Sequence, residues 1–222
     1  MLISELYSIF KQYPVVTTDS RVCPDQSIFF ALKGPTFNGN NFAEKALEKG
    51  CSYAVVDELE KNVARPDRII MVDDVLTALQ QLANYHRKQF KTPVVAITGT
   101  NGKTTTKELI ARVLAREFKV AYTQGNFNNH IGVPLTLLSM SKEHEIAIVE
   151  MGANHPGEIK KLCEIAEPDY GLITNVGLAH LEGFGSFENI VKTKSELFDY
   201  LDQNDGKAFV NNGLKSILNV SS

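Results

Sequence analysis

The sequence predicts an α/β protein in two domains, a small α/β domain over residues 1–90 and, over residues 91–222, a domain built on a mostly parallel sheet. Three observations predict it. From Val94 onward, short apolar runs alternate with amphipathic helical patterns, which is how parallel strands and their covering helices read. The stretch before it carries its own, differently spaced apolar runs. Between the two, Arg87–Pro93 is polar and closes on a proline that biases Thr92 away from helix, which places the boundary there.

In the first domain, Ser27–Lys33, Ser52–Asp57 and Arg68–Asp73 read as strands, with a helix near Asn41–Lys49 and a longer one near Val75–Phe90. Asn38–Phe42 reads as a turn and helix cap, with Asn40 or Asn41 as the capping residue. In the second domain the expected strands are Val94–Thr98, Lys119–Thr123, Ile146–Met151, Gly171–Val176 and Lys207–Asn211. Leu109, Ile110, Val113 and Leu114 are expected on one helix face, and Ile159, Leu162, Cys163 and Ala166 on another. In Phe187–Leu201, the apolar positions Ile190, Leu197 and Leu201 leave Lys194 on a different face, where a lysine is ordinarily solvated.

Composition sets the class. With 43% apolar and 22% charged residues in 222, the chain is globular and long enough for its own cores. A net charge of −3 argues against a general nucleic-acid binder, which needs a field of Lys and Arg, so small-molecule partners are expected. The three cysteines, Cys23, Cys51 and Cys163, form no CxxC pair, which fits a reduced, cytoplasmic protein. No signal-like segment and no apolar run near the ~18 residues of a membrane span are present.

The chemistry enters at Gly99-Thr100-Asn101-Gly102-Lys103-Thr104. A phosphate loop works because backbone N–H groups and a helix N-terminus converge on an anion, glycines allow close approach and a lysine adds charge. Val94–Thr98 supplies the strand, Gly99 and Gly102 the turn, Lys103 a reach to β- and γ-phosphates, and Thr104 a hydroxyl for Mg²⁺. Ile97 stands where the usual pattern has its first glycine, and Gly99 leads instead, so a tighter variant of the loop is expected. The rival reading is a glycine-rich turn that binds nothing. The loop points to ATP with Mg²⁺ but names no reaction.

The block from Thr98 to Glu108, Thr-Gly-Thr-Asn-Gly-Lys-Thr-Thr-Thr-Lys-Glu, resembles the Mur ligase family. Gly125-Asn126-Phe127-Asn128-Asn129-His130-Ile131-Gly132-Val133-Pro134, Glu150-Met151-Gly152-Ala153-Asn154, the run from Asn175 to Glu182 and Lys192-Thr193-Lys194-Ser195-Glu196 follow in the family's order. Asp19-Ser20-Arg21 and Ile28–Gly34 are similar to the domain such enzymes use for a UDP-sugar. The resemblance implies an ATP-dependent ligase that joins D-alanyl-D-alanine to UDP-N-acetylmuramoyl-tripeptide through an acyl phosphate. It also implies that the chain stops within the central domain, without the third domain that completes the amine site and so inactive alone.

Residue by residue, the resemblance implies Gly99 to Thr105 on the nucleotide, including Thr100, Asn101 and Thr105, and Lys103, Glu150, His180 and Lys194 in the catalytic set. Glu150 ends an apolar strand, so its carboxylate emerges at the sheet's carboxyl edge beside the loop, where ligands of open α/β sheets bind. Thr104, Glu150, His180 and Lys194 are the implied magnesium set. His180 would help hold a second ion, and Lys194 would do so as a carbamate, its cation exchanged for an anion with two oxygens. Lys194 is preferred to Lys192 because Ser-Glu-Leu follows it. Asn126 and Asn129 are the candidate substrate contacts, with turn chemistry as the rival reading for both. Ser20 and Arg21 are the candidates for uridine or diphosphate oxygens, with a buried salt bridge as the rival for Arg21. His86, His130, His144 and His155 have no implied role and read as surface or loop residues.

Other readings stay open at this point. A sister ligase adds the third amino acid to the UDP-linked dipeptide, although Thr106-Lys107-Glu108 and the Asn-rich run favour the dipeptide-adding member. A binding module without catalysis predicts nucleotide affinity alone. A regulatory NTPase or kinase predicts ATP turnover with no carboxylate acceptor.

Overall fold

The computed structural model describes residues 1–59, 64–177 and 181–211. The chain divides into two compact units, Met1–His86 and Arg87–Ser222.

The first unit runs α1 (Ile3–Gln12), β1 (Val15–Thr17), β2 (Ser27–Phe30), β3 (Lys33–Gly34), β4 (Phe37–Asn38), α2 (Ala43–Glu48), β5 (Tyr53–Val56), β6 (Ile69–Met71) and α3 (Val75–Arg87). Its parallel sheet has the order β1-β2-β5-β6. All four residues of the interior strand β2 are buried, which explains its unbroken apolar run. Phe29, Ala31, Ala54 and Val56 pack against Ala43, Ala46 and Leu47 of α2.

Three expectations are corrected in this unit. The run Ser27–Lys33 is not one strand: pairing in the sheet stops at Phe30, and Lys33–Gly34 turns through Pro35-Thr36 into a two-residue hairpin with Phe37–Asn38. Apolar composition alone does not show where a ladder ends. Asn38, not Asn40 or Asn41, caps the 3-10 turn Gly39–Phe42 by accepting the Asn40 N–H at 3.0 Å. Asn40 is buried and ties the turn to the end of β5, accepting from Asp57 N at 3.1 Å and donating to Asp57 Oδ1 at 2.8 Å. His86 is buried rather than on the surface, with Tyr7 Oη 3.2 Å from its Nδ1 and the Phe10 ring edge-on at 5.0 Å.

The second unit runs β7 (Val94–Thr98), α4 (Lys103–Leu114), β8 (Val120–Tyr122), α5 (Gly132–Leu138), β9 (Ile146–Glu150), α6 (Glu158–Ala166), β10 (Tyr170–Ile173), α7 (Leu181–Phe184), α8 (Phe187–Gln203) and β11 (Lys207–Phe209). Its parallel sheet has the order β11-β10-β7-β9-β8. From β7 the chain goes to the sheet edge for β8 and returns to place β9 between them, then crosses to the other side of β7 for β10 and β11. β7 therefore stands at the switch point, and the crevice beyond its carboxyl end is where such sheets hold ligands.

Side-chain alternation assigns the helices to faces. Ile97 and Ile148 pack with Ala111, Ile110 and Leu114 of α4. On the opposite face Gly171 has no side chain, and a methyl group there would lie 2.8 Å from Leu201 and 3.0 Å from Leu197 of α8. Ile159, Leu162, Cys163 and Ala166 of α6 are buried as the pattern predicts. The face predicted for α4 is corrected in part: Leu109 and Val113 are 60% and 69% exposed, whereas Ile110 and Leu114 are half-buried beside the buried Lys107 and Ala111. A lysine, not an aliphatic residue, sets that register. In α8, Lys194 is not on a solvated face. Ile190, Lys194, Leu197 and Leu201 follow the +4, +3, +4 spacing of one buried stripe, and Lys194 is only 3% exposed.

Candidate functional site

The loop after β7 is short and laced from behind. Gly99 has φ +144° and Gly102 φ +76°, both in the half of backbone space that glycine enters without strain. Thr100 N donates to Asn175 O at 2.9 Å, and Asn101 N donates to Asn175 Oδ1 at 3.0 Å. Thr174 Oγ1 and Asn175 Nδ2 donate to Asn101 O at 2.7 and 3.0 Å, and Thr100 Oγ1 exchanges hydrogen bonds with Gly177. The segment that follows β10 thus fixes the loop before any ligand arrives. A methyl group on Gly99 would lie 2.0 Å from Thr174 Oγ1, whereas one on Gly102 meets nothing within 4 Å. Gly99→Ala is therefore expected to destabilise by about 3 kcal/mol or more, and Gly102→Ala by about 1 kcal/mol, measured by denaturant unfolding. Equal losses would contradict the assigned lacing.

At the start of α4, the N–H groups of Lys103, Thr104 and Thr105 lie in the first turn, where helix geometry gives them no intrahelical acceptor. Lys103 Nζ donates to the carbonyls of Gly99 and Thr100 at 2.8 and 3.0 Å. Burial lowers the pKa of its ammonium, and the nearby Glu150 carboxylate opposes that shift.

Glu150 ends β9 only 1% exposed. Its backbone N–H donates to Thr123 Oγ1 at 3.0 Å, and its Oε1 accepts from Asn128 Nδ2 at 2.8 Å and Thr104 Oγ1 at 3.2 Å. Its Oε2 is buried with no hydrogen-bond partner among the described residues, and Lys107 Nζ stands 4.0 Å away. An orphaned carboxylate oxygen beside a threonine hydroxyl fits a hard, oxygen-seeking cation such as Mg²⁺. Among the described residues no three His, Cys, Asp or Glu side chains cluster as a metal cage. Mg²⁺ in nucleotide sites needs none, since phosphates and water fill most of its shell.

Lys194 approaches from α8. Its Nζ lies 5.7 Å from the centre of the Phe184 ring, and its pKa falls to about 8. Burial is the main cause and repulsion from Lys103 the next, with Glu158 and Glu196 opposing both. Lys192 is exposed on the other side of the helix. Glu196 caps α6, accepting from Gly157 N at 2.7 Å and Lys160 N at 2.9 Å.

The structure thus brings Lys103, Thr104, Glu150 and the loop together, with Lys194 close enough to Lys103 to feel its charge. It gives other expected residues different places. Asn129 Oδ1 accepts from Ile131 N and Gly132 N at 3.1 and 2.9 Å, holding the start of α5. Asn126 is exposed, and its carbonyl accepts from Asn128 N at 2.7 Å. Arg21 makes no buried salt bridge: its side chain is 85% exposed and forks onto Asp19, with Nη2 2.7 Å from Oδ2. Ser20 is half-buried, and its carbonyl accepts from Cys23 Sγ at 3.4 Å and Lys49 Nζ at 3.1 Å. His180 lies outside the described residues. Asn128, Thr123, Lys107 and the Thr174–Gly177 stretch were missed by sequence reasoning. The one available signal was position, since Thr174 and Asn175 fall within the predicted strand Gly171–Val176, near its carboxyl end.

A phosphate-loop strand and helix at the switch point of a parallel sheet, with a strand-end carboxylate beside the loop, define a nucleotide-binding α/β protein. Residues 97–221 match the Mur ligase middle domain, and residues 12–87 match the Mur ligase family catalytic domain. The chain belongs to the Mur ligase family. It is 44% identical over 188 residues to the UDP-N-acetylmuramoyl-tripeptide-D-alanyl-D-alanine ligase of Bacillus subtilis, covering 85% of this chain and 41% of the relative. With the Escherichia coli enzyme of the same name it shares 40% identity over 207 residues, 93% of this chain and 45% of that one. The crystal structure of MurF from Acinetobacter baumannii superposes with a TM-score of 0.85 at 34% identity, over 99% of this chain and 51% of that chain. MurF ligase from Thermotoga maritima, in complex with ADP, gives 0.77 at 37% identity, over 85% and 44%. The chain therefore spans about two fifths to one half of the length of these relatives.

Proposed function

We propose that the chain is the nucleotide-binding and UDP-substrate part of an ATP-dependent ligase that joins D-alanyl-D-alanine to UDP-N-acetylmuramoyl-tripeptide. The observation that carries this reading is the convergence of Lys103, Thr104 and Glu150 on the loop after β7, in a chain similar to ligases of that name. In the proposed reaction a carboxylate of the tripeptide attacks the γ-phosphorus of ATP, ADP leaves, and an acyl phosphate forms. The amine of D-alanyl-D-alanine then attacks the acyl carbon, and phosphate leaves as the nitrogen loses a proton. Such a reaction asks the protein chiefly for positioning and charge neutralisation.

Each residue has a matching part. The turn from Gly99 to Gly102, with the Thr100 and Asn101 N–H groups held by Asn175, presents the N–H groups of Lys103, Thr104 and Thr105, which cradle phosphate. Lys103 exchanges its two loop carbonyls for β- and γ-phosphate oxygens. Thr104 and Glu150 hold Mg²⁺, which when bound supplies positive charge to the phosphate oxygens. Lys194 is the candidate for carbamylation: its neutral amine adds to carbon dioxide and releases a proton, and burial with a pKa of about 8 supports this by enlarging the neutral fraction. His180 joins the second metal site in this reading. In the first unit Ser20 and Arg21 contact the UDP moiety, for which the exposed guanidinium fork of Arg21 is suited once it leaves Asp19. Asn126 and Asn129 remain candidate substrate contacts through their exposed side-chain edges. A cytoplasmic location fits a nucleotide substrate, and among the described residues no helix is long and apolar enough to cross a membrane.

Phosphate release by the whole ligase tests the proposal. It should require ATP, UDP-N-acetylmuramoyl-tripeptide and D-alanyl-D-alanine together, and Glu150→Gln should lower it about 100-fold or more. Release without the UDP-peptide would point to an NTPase. Preference for a single amino acid on the UDP-dipeptide would point to the sister ligase.

A further inference from the structure

Lys107 lies one helical turn after Lys103 on α4, and its side chain is fully buried. Nothing in phosphate binding requires a lysine there. A buried ammonium is costly unless its donors and its charge are both answered. Here Nζ donates to Thr123 O at 2.6 Å and Gly125 O at 3.2 Å, and lies 3.1 Å from Glu108 Oε1. These acceptors engage the donors of the ammonium, and Glu150 Oε2 stands just outside hydrogen-bond range at 4.0 Å.

The arrangement separates charge from hydrogen bonding. Glu150 gains a fixed cation in its own low-dielectric surroundings, yet the lone pairs of Oε2 are left without a donor. A lysine bonded directly to that carboxylate would compete for the electron pairs a metal ion needs. The same ammonium pins the carbonyls of Thr123 and Gly125. Thr123 Oγ1 in turn accepts from Glu150 N, and the turn that begins at Gly125 carries Asn128, whose amide donates to Glu150 Oε1. One side chain thus fixes the first turns of the phosphate-loop helix, the Asn-bearing turn and the strand-end carboxylate relative to one another.

We infer that Lys107 is the positioning residue for the metal-holding carboxylate, a buried cation that balances Glu150 and aims it without occupying its free oxygen. This rests on the reading that Glu150 holds Mg²⁺.

The test is the affinity of the 222-residue chain for ADP, measured with and without Mg²⁺, and the ratio of the two. Lys107→Gln keeps a donor for the Thr123 carbonyl and removes the charge, so the Mg²⁺-dependent gain should fall about 10–100-fold, the usual effect of removing a group that orients a ligand of a metal. A gain equal to that of the parent chain would overturn the inference. Unfolding supplies an independent arm, because removing both charges leaves no unpaired carboxylate in the core, Glu108 being partly exposed. K107Q/E150Q should recover most of the denaturant midpoint that K107Q loses, even where K107Q alone does not fold. If the double variant is as unstable as K107Q, the lysine serves only the loop carbonyls and the inference fails. Should the parent chain itself show no Mg²⁺-dependent gain, the metal reading of Glu150 falls first and the inference with it.

Discussion

Lys103→Ala is expected to weaken Mg²⁺–ADP binding about 100-fold while leaving unfolding stability within about 1 kcal/mol of the parent. The asymmetry follows from what the ammonium does in each state. In the structure it rests on the carbonyls of Gly99 and Thr100, at a loop already held from behind by Thr174 and Asn175. Burial disfavours its charge there, which offsets part of what the loss of those two bonds costs. On a phosphate the same group makes charge-assisted hydrogen bonds, each worth roughly 1.5–3 kcal/mol, and two of them account for the expected loss in affinity. Calorimetric titration and denaturant unfolding on the same variant separate the two effects. A large loss of stability with unchanged affinity would make Lys103 a loop brace and nothing more.

Lys194→Met should raise stability at pH 7 by roughly 2–3 kcal/mol in carbon-dioxide-free buffer and abolish ligase activity in the whole enzyme. The lysine occupies a core position of α8 between Ile190 and Leu197, and methionine fills similar volume without a charge to desolvate. Its pKa falls from the ordinary 10.5 to about 8 in the folded chain, so the unfolded chain binds the extra proton between those values. The destabilisation is therefore fully present below about pH 8 and is relieved as pH rises toward 10.5. The advantage of the methionine variant should shrink over that window, and chemical denaturation across it measures the slope. An advantage independent of pH across that window would mean that Lys194 keeps its ordinary pKa in the fold and that burial does not disfavour its charge. A core position given to a lysine at the expense of stability is what a reactive amine requires.

The second unit was legible because its interior strands are buried on both faces, so Val94–Thr98 and Ile146–Glu150 read as unbroken apolar runs. The loop was legible because glycines, lysine and threonine at fixed spacing have a mechanical reason to be there. What escaped depended on orientation. In Asn126-Phe127-Asn128-Asn129 composition does not say which amide faces Glu150; the turn does, giving that place to Asn128 and the start of α5 to Asn129. The burial of Lys107 and Lys194 escaped because a lysine on a helix reads as solvated, whereas each here continues an apolar stripe into the core. Leu109 and Val113 were misplaced by the same error seen from the other face of α4.

In the proposed function the loop after β7 and Glu150 together bind a magnesium nucleotide. Titration of the chain with ADP, in parallel with and without Mg²⁺ and repeated on Lys103→Ala and Glu150→Gln, tests it most directly. Saturable one-site binding that is strengthened by Mg²⁺, weakened by Lys103→Ala and made indifferent to Mg²⁺ by Glu150→Gln is the predicted result. Binding unchanged in both variants, or none to the parent chain, would contradict it.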